Sequence, residues 1–544
     1  MTKLSNKKRK ASQQPSNTGK KQHAEAISST PATHEQAELK DAQSGAEEEL
    51  IGGLIFGEEL DSTVEVLQTL AQNPAILKSK SMKPFKSAMY ECWRSMQEVS
   101  GTGTSLTSRI STTLQSSLHL ESLVLLSELR LRGQTPKLGS LQRWVRECDA
   151  AAIATASSTR KRSKAEEEQE ERLVWEVLDA LLRSCTTLAD DVVAEVKDGE
   201  VESDVKRGGK GVRRWKPWDV RKLLGEAHKH RATGRNYTRA VEEDTLVSSE
   251  LKELYRKSVV PLDVTPGPSR RPPNLFPAIV YHVASSSPDT LTLASTPTQV
   301  AKRFDVPGVP GALIITDLLS KEECEDLIGM SETIGMIEDQ PVGGSAAELN
   351  SVLAHNLILL APSQFSTPLF ERVRNLLPSH VSVPNGSKSS GALKGINRRY
   401  RIYRYKEGSV YRPHIDGSWP SSAELPASED GLSPAKYVYD SDPTLYSRYT
   451  FLIYLNDSFS NGCTTFFVPD PDRDGVLDAR PVRPLAGSAL VFPHGATLGS
   501  LLHEGSPVFP NELEHAKYVI RTEVLYEVDR IASAGEGGVV GGLV

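Results

Sequence analysis

RIYRYKEGSVYRPHID, residues 401–416, is the stretch on which the reading of this chain turns. It runs as a β-rich segment through Tyr403 and Tyr405, breaks at Gly408, and ends on a histidine and an acid two positions apart. A strand turns its side chains with period two, so His414 and Asp416 point the same way. A bare H-x-D arises by chance in many chains of this length. The pair gains meaning only from what accompanies it.

A succession of short β-rich runs accompanies it. RYTFLIYLND (448–457), CTTFFVPD (463–470), GSALVFPHG (487–495) and AKYVIRTEVLYEV (516–528) are separated by Gly, Pro, Asn and Asp. Many short strands with few helices predict a sandwich or jelly-roll barrel. One helix is expected in SKEECEDLIGMSETIG (320–335), where Ser320 and Glu323 stand at capping-box spacing.

A metal held by His414 and Asp416 needs a further ligand, ideally a histidine, and His494 and His503 both stand downstream. Two histidines and one carboxylate on one face leave three coordination positions open, the arrangement of non-haem Fe(II) oxygenases. Two of those positions suit a bidentate 2-oxo acid and the third suits O2. The far carboxylate of such an acid needs a cation. Lys517 and Arg521 offer one on a single face of the last strand, with Tyr518, Ile520, Val524 and Tyr526 on the other.

The N-terminal half has a different texture. Residues 1–50 are polar, and residues 1–21 carry seven basic residues and no acid, with KKRK at Lys7–Lys10. Such a segment cannot bury enough surface to offset its ordering entropy; it reads as a disordered tail with a nuclear-localisation-like cluster. Helices are expected across 51–156, one in DSTVEVLQTL capped by Ser62 with Val64, Leu67 and Leu70 on one face. Another, LHLESLVLLSELRLRG, ends at Gly133. Over 157–289 a charged linker leads into a helix striped by Leu173, Val177, Leu178, Leu181 and Leu182. All of these stripes read as core. Next come the basic, Trp-containing 206–224 stretch and a proline-rich boundary at 264–277. The basic stretch reads as a flexible connector or, alternatively, as a local nucleic-acid contact. Residues 531–544 read as a flexible Gly-rich tail.

Composition narrows the classes. The net charge of -6 disfavours any global affinity for nucleic acid. The five cysteines are scattered with no C-x-x-C pair, which argues against a disulfide framework and a zinc site. No apolar run is long enough to span a membrane, and the N-terminus lacks the apolar core of a secretory signal. A nuclear or cytoplasmic protein, not a secreted one, is expected.

With these pieces in order, residues 310–528 resemble the prolyl 4-hydroxylase-like 2-oxoglutarate/Fe(II) dioxygenases. The resemblance rests on Tyr405, Gly408, Tyr411, His414 and Asp416 as Y-x-x-G-x-x-Y-x-x-H-x-D, then on Gly462, Thr464 and Phe466 as G-x-T-x-F. RPLAGSALVF, LHEGSPV and KYVIRTEVLY follow in the family's order. It implies an α+β chain: a double-stranded β-helix (jelly-roll) oxygenase domain over 290–530, preceded by the mainly helical region and the basic tail. It implies Fe(II) on His414, Asp416 and His503, with His494 in a loop at the rim. It also implies that Lys517 pairs with the distal carboxylate of 2-oxoglutarate, helped by Tyr454, with Tyr405 lining the pocket; Arg521 is the rival cation. O2 as oxidant, L-ascorbate as helper reductant and a peptidyl substrate, proline favoured, follow from the resemblance too. The alternatives are oxidation of nucleic acid and a degenerate domain serving as a scaffold.

Two departures stand out. A Ser/Pro-rich insert at 417–447, after the first two ligands, reads as a lid or as decoration. The turn before Lys517 is a longer loop without glycine, which leaves the choice between Lys517 and Arg521 open.

Overall fold

The computed structural model describes residues 55–99, 105–148, 164–185, 200–204, 209–225, 236–270, 273–293, 299–340, 342, 354–381, 391–428, 434–495, 500–509 and 516–527. The basic cluster at 7–10, the linker start at 157–163 and the Gly-rich segment 531–544 lie outside them. The chain divides into two units, residues 1–83 and 84–544.

In the first unit a helix runs over Gly57–Gln72 and buries none of its residues. It begins five residues before the expected cap at Ser62, because Glu58 and Glu59 favour the first turn and Glu59 accepts a hydrogen bond from the Phe56 amide. The stripe of Val64, Leu67 and Leu70 is thus not core here; Val64 is 43 % exposed.

The second unit is built on two large sheets. One runs in the order Val259–Thr265, Ala278–Val283, His355–Leu360, Arg399–Tyr405, Lys517–Glu527, Leu445–Tyr454, Ser488–Pro493, Leu313–Thr316 and Lys302–Asp305. The other runs Val201–Ser203, Gly211–Trp215, Val476–Val482, Thr464–Pro469, Leu502–Gly505 and Tyr411–His414. All five β-rich runs expected from the sequence are strands of these sheets. Period-two alternation then divides their side chains between layers. Tyr403, Tyr405, Tyr454 and Val519 from the first sheet meet Phe466 and Val482 from the second in one apolar cluster. The alternate residues Ile402, Ile453, Ile520, Val524 and Tyr526 enter a separate cluster on the outer face of the first sheet.

Helices cover both outer faces. Lys321–Ile334 packs Cys324, Leu327 and Ile328 onto the first sheet, and its expected capping box is present: Ser320 Oγ accepts from the Glu323 amide at 3.1 Å and Glu323 returns the bond at 2.8 Å. On the second sheet lies a layer of Leu106–Gln115, His119–Leu131, Leu138–Glu147 and Lys164–Cys185. Val177, Leu178, Leu181 and Leu182 are buried there as the stripe predicts, together with Trp144 and with Ile415, Phe467 and Leu502 of the sheet. Gly133 takes a left-handed φ of 60° just beyond its helix, as expected of a C-terminal stop. Among the described residues, no helix is long and apolar enough to cross a membrane.

The sheets reach back past residue 290, where the change of texture suggests that the barrel begins. The basic stretch is no flexible connector: Gly211–Trp215 pairs in parallel with Val476–Val482. Arg213 meets Asp478 at 2.6 Å and Asp470 at 2.7 Å, so acids of the sheet already occupy its guanidinium. The proline-rich 264–277 is likewise no boundary, since Arg270 and Asn274 hold the buried Asp339 at 2.7 and 2.6 Å. The insert after Asp416 carries an antiparallel ribbon of Ser422–Leu425 and Lys436–Tyr439, pinned by the Arg399 guanidinium 4.6 Å from the centre of the Trp419 ring.

Because Trp144 is wholly buried and donates its Nε1–H to Ser111 Oγ at 2.9 Å, Trp144→Ala should cost about 3–5 kcal/mol of unfolding free energy. The check is a urea titration with an unchanged slope. A loss under about 1 kcal/mol would mean that the helical layer unfolds separately from the sheets.

Candidate metal centre

The strand register brings the site together. Tyr411–His414 and Leu502–Gly505 are antiparallel neighbours, and His414 stands directly opposite His503. Directly opposed residues have their Cβ atoms about 4.5–5.5 Å apart on the same face; the two imidazole centres are 4.3 Å apart. Asp416 follows one turn of alternation beyond His414, while Ile415 between them points away into the helical layer. There Gln142 Nε2 donates to the Ile415 carbonyl at 3.1 Å.

One ligand atom from each of His414, Asp416 and His503 lies within 4.8 Å of the others. His414 Nε2 is 3.5 Å from Asp416 Oδ1, and His503 Nε2 is 3.7 Å from Asp416 Oδ2. Each imidazole directs its other nitrogen to a backbone carbonyl: His414 Nδ1 donates to Arg412 O at 2.6 Å and His503 Nδ1 to Leu501 O at 3.0 Å. Those bonds fix the tautomers and leave both Nε2 lone pairs facing Asp416, as a metal ligand requires. Burial pushes His503 down to about 3, so it is a neutral donor at physiological pH. Burial alone would raise Asp416, but Arg521 and the two histidines outweigh it and hold the carboxyl well below its usual range. Two imidazoles and one carboxylate are the donor set that a divalent iron takes, so the residues fit that ion.

The centre opens on a cavity lined by both sheets, with Tyr403, Tyr405, Leu452, Thr464, Phe492, Val519, Lys517 and Arg521 among its walls. The two candidate cations differ there. Arg521 is already paired, 3.0 Å from Asp416 Oδ1 and 3.5 Å from Glu523 Oε1. Lys517 donates to the Gly462 carbonyl at 2.7 Å and lies over the Tyr405 and Tyr454 rings at 5.6 and 5.5 Å. No described carboxylate stands within ion-pair distance of Lys517. With the side chain 3 % exposed, burial lowers its pKa to about 8. Gly462 has to be glycine for this contact: its φ is 60°, and a Cβ would come within 2.6 Å of the Phe459 ring.

Two expected positions need correction. His494 is not in a loop at the rim. It is 1 % exposed and lies behind Asp416, bonded to Thr450 and Ser447. Tyr454 is buried beneath Lys517 and spends its hydroxyl on Thr464 Oγ1 at 2.8 Å, so Thr464 faces the cavity in its place. One participant escaped the sequence reading. Tyr403 lines the cavity with a buried hydroxyl that has no hydrogen-bond partner among the described residues, and period two from Tyr405 was the signal for it. Thr450, inward with Leu452 as period two predicts, donates to Asp416 Oδ2 at 2.6 Å.

No protein-family profile matches the chain, and no curated protein matches it. Among solved structures it is similar to a viral collagen prolyl hydroxylase of Paramecium Bursaria Chlorella virus-1 in complex with 2OG. That match has 15 % identity and a TM-score of 0.23, covering 43 % of this chain and 98 % of that one. It is also similar to an oxidoreductase of the 2OG-Fe(II) oxygenase family from Burkholderia pseudomallei, with 16 % identity, coverage of 27 % and 50 %, and a TM-score of 0.15. EvdO2 from Micromonospora carbonacea var. aurantiaca matches at 14 % identity, 40 % and 88 % coverage, and a TM-score of 0.19. At these identities and scores the site is read from its own residues.

Proposed function

We propose that this chain is a 2-oxoglutarate- and Fe(II)-dependent dioxygenase on a double-stranded β-helix. Its substrate would be a peptidyl residue, proline foremost, of a nuclear or cytoplasmic protein. One observation carries the reading: His414, Asp416 and His503 converge on a cavity that also holds a buried lysine with no carboxylate beside it among the described residues. A buried cation without an acid is costly, and an anionic ligand would offset that cost. The jelly-roll is supported by the way the chain alternates between sheets. Arg399–Tyr405, Leu445–Tyr454, Ser488–Pro493 and Lys517–Glu527 lie in one, while Tyr411–His414, Thr464–Pro469, Val476–Val482 and Leu502–Gly505 lie in the other.

In this reading His414, Asp416 and His503 hold the iron, and Lys517 holds the distal carboxylate of 2-oxoglutarate. The bound iron supplies the activation of O2 that couples decarboxylation of 2-oxoglutarate to hydroxylation of a C–H bond. The chain's own part is orientation and exclusion of water. Leu452, Phe492 and Val519 give the cavity apolar walls, and the Tyr403 hydroxyl, unpartnered among the described residues, supplies a donor to the bound cosubstrate. Ascorbate as reductant comes with the family resemblance.

The test is succinate formation from 2-oxoglutarate by the full chain with Fe(II), ascorbate and a nuclear-extract peptide pool. His414→Ala serves as control. Turnover confined to the unaltered protein, with a proline-containing peptide heavier by one oxygen atom, is the expected result. Turnover with no altered peptide would move the substrate to nucleic acid or a small molecule. Absence of iron binding would favour the scaffold.

A further inference from the structure

Behind the Asp416 carboxylate runs a line of hydrogen bonds whose two ends are fixed by chemistry. At the far end the backbone N–H of Trp419, which can only donate, lies 2.7 Å from Ser447 Oγ. At the near end the Asp416 carboxylate, which can only accept, lies 2.6 Å from Thr450 Oγ1. His494 bridges the middle, with Nε2 at 2.7 Å from Ser447 Oγ and Nδ1 at 2.8 Å from Thr450 Oγ1.

A hydroxyl has one proton to give. Thr450 gives its proton to Asp416, so its oxygen accepts from Nδ1, and that nitrogen must carry the ring proton. Ser447 accepts from Trp419 and keeps its own proton, which it can give to a bare Nε2. The Asp416 end places the ring proton on Nδ1, and the Trp419 end accommodates the matching arrangement, with Ser447 donating to Nε2. The backbone beside the ring is docked on the same residue: the Gly495 amide donates to the Asp416 carbonyl at 3.1 Å. Gly495 can lie that close only without a side chain, since a Cβ there would come within 2.0 Å of Ser418 Oγ at a φ of 65°.

We propose that His494 is a positioning residue for the metal-binding carboxylate: it fixes the Thr450 hydroxyl as a donor to Asp416 Oδ2 and so sets the orientation of that carboxylate. The proposal rests on the metal reading of His414, Asp416 and His503. It gives Thr450, Ser447 and His494 one joint task, so their substitutions should not act independently.

The experiment titrates the full chain with cobalt(II) alone, following its visible absorption, with near-UV circular dichroism to confirm folding. Thr450→Val and His494→Met should each weaken cobalt(II) binding about 10–100-fold, as loss of outer-shell partners does. The double variant should be no weaker than the weaker single one, because both remove the same bond. His494→Gln, which keeps one donor and one acceptor, should stay within a few-fold of the unaltered protein. Ser447→Ala removes a single oxygen and keeps the test alive if His494→Met does not fold. It frees the ring to invert its tautomer, so affinity should fall severalfold. Unchanged affinity in His494→Met or in Ser447→Ala, or additive losses in the double variant, would overturn the inference while leaving the metal centre standing. An unaltered protein that binds no cobalt(II) would overturn both.

Discussion

Alanine at His414 is expected to abolish iron binding while leaving the protein folded. The side chain is 21 % exposed at the mouth of the site, so its removal takes little from the packed core. It does take one of the three donors, whose ligand atoms otherwise lie within 4.8 Å of each other. What remains is one imidazole and a carboxylate that already has Arg521 at 3.0 Å. With the third ligand gone, that arginine competes with any incoming cation for Asp416 on better terms. The loss of affinity should therefore exceed the ~10–100-fold that removal of an outer-shell partner brings. Iron content after anaerobic reconstitution, set beside near-UV circular dichroism, measures it. Full iron occupancy in the His414→Ala protein would place the metal elsewhere and end this reading of the site.

The sequence made the central strands and the candidate metal ligands legible for a common physical reason. Period-two alternation is local, and it put His414 with Asp416, and Lys517 with Arg521, on shared faces before any pairing was known. Cross-strand register is not local. Nothing near His494 tells a reader that the end of its strand folds behind Asp416, where Thr450 and Ser447 enclose it. Its flanking Pro493 and Gly495 look like the start of an open loop, although the turn is buried. The sheet edges were hidden by composition. Pro261 sits in the outermost strand Val259–Thr265, and the basic residues of Gly211–Trp215 resemble a linker until Asp478 and Asp470 are seen beside Arg213. The stripe of Val64, Leu67 and Leu70 shows the opposite failure, since amphipathic spacing identifies a helix face without identifying what covers it.

Lys517→Met is expected to weaken 2-oxoglutarate binding by about two orders of magnitude or more, while iron still binds. Stripping one partner from a buried ion pair costs roughly 3–5 kcal/mol, because the remaining charge is left desolvated. The methionine keeps the length and apolar stem that pack over Tyr405 and Tyr454. The pH dependence separates Lys517 from its rival. Burial lowers Lys517 to about 8, so in the free protein the ammonium is present below that pH and lost above it. An anionic cosubstrate that needs the ammonium should bind with constant affinity below pH about 8. Above it, affinity should weaken by about tenfold per pH unit, and binding should raise the lysine's own pKa. Arg521 behaves otherwise: burial opposes its charge, but Asp416 and Glu523 outweigh burial and raise its pKa, so it stays cationic throughout. Calorimetric titration of the iron-loaded protein with 2-oxoglutarate under anaerobic conditions, from pH 6.5 to pH 9.5, reads the difference directly. A break near pH 8 that disappears in Lys517→Met assigns the carboxylate to Lys517. A flat profile, with full affinity retained in Lys517→Met, would transfer it to Arg521 and detach that arginine from Asp416 whenever the cosubstrate is bound.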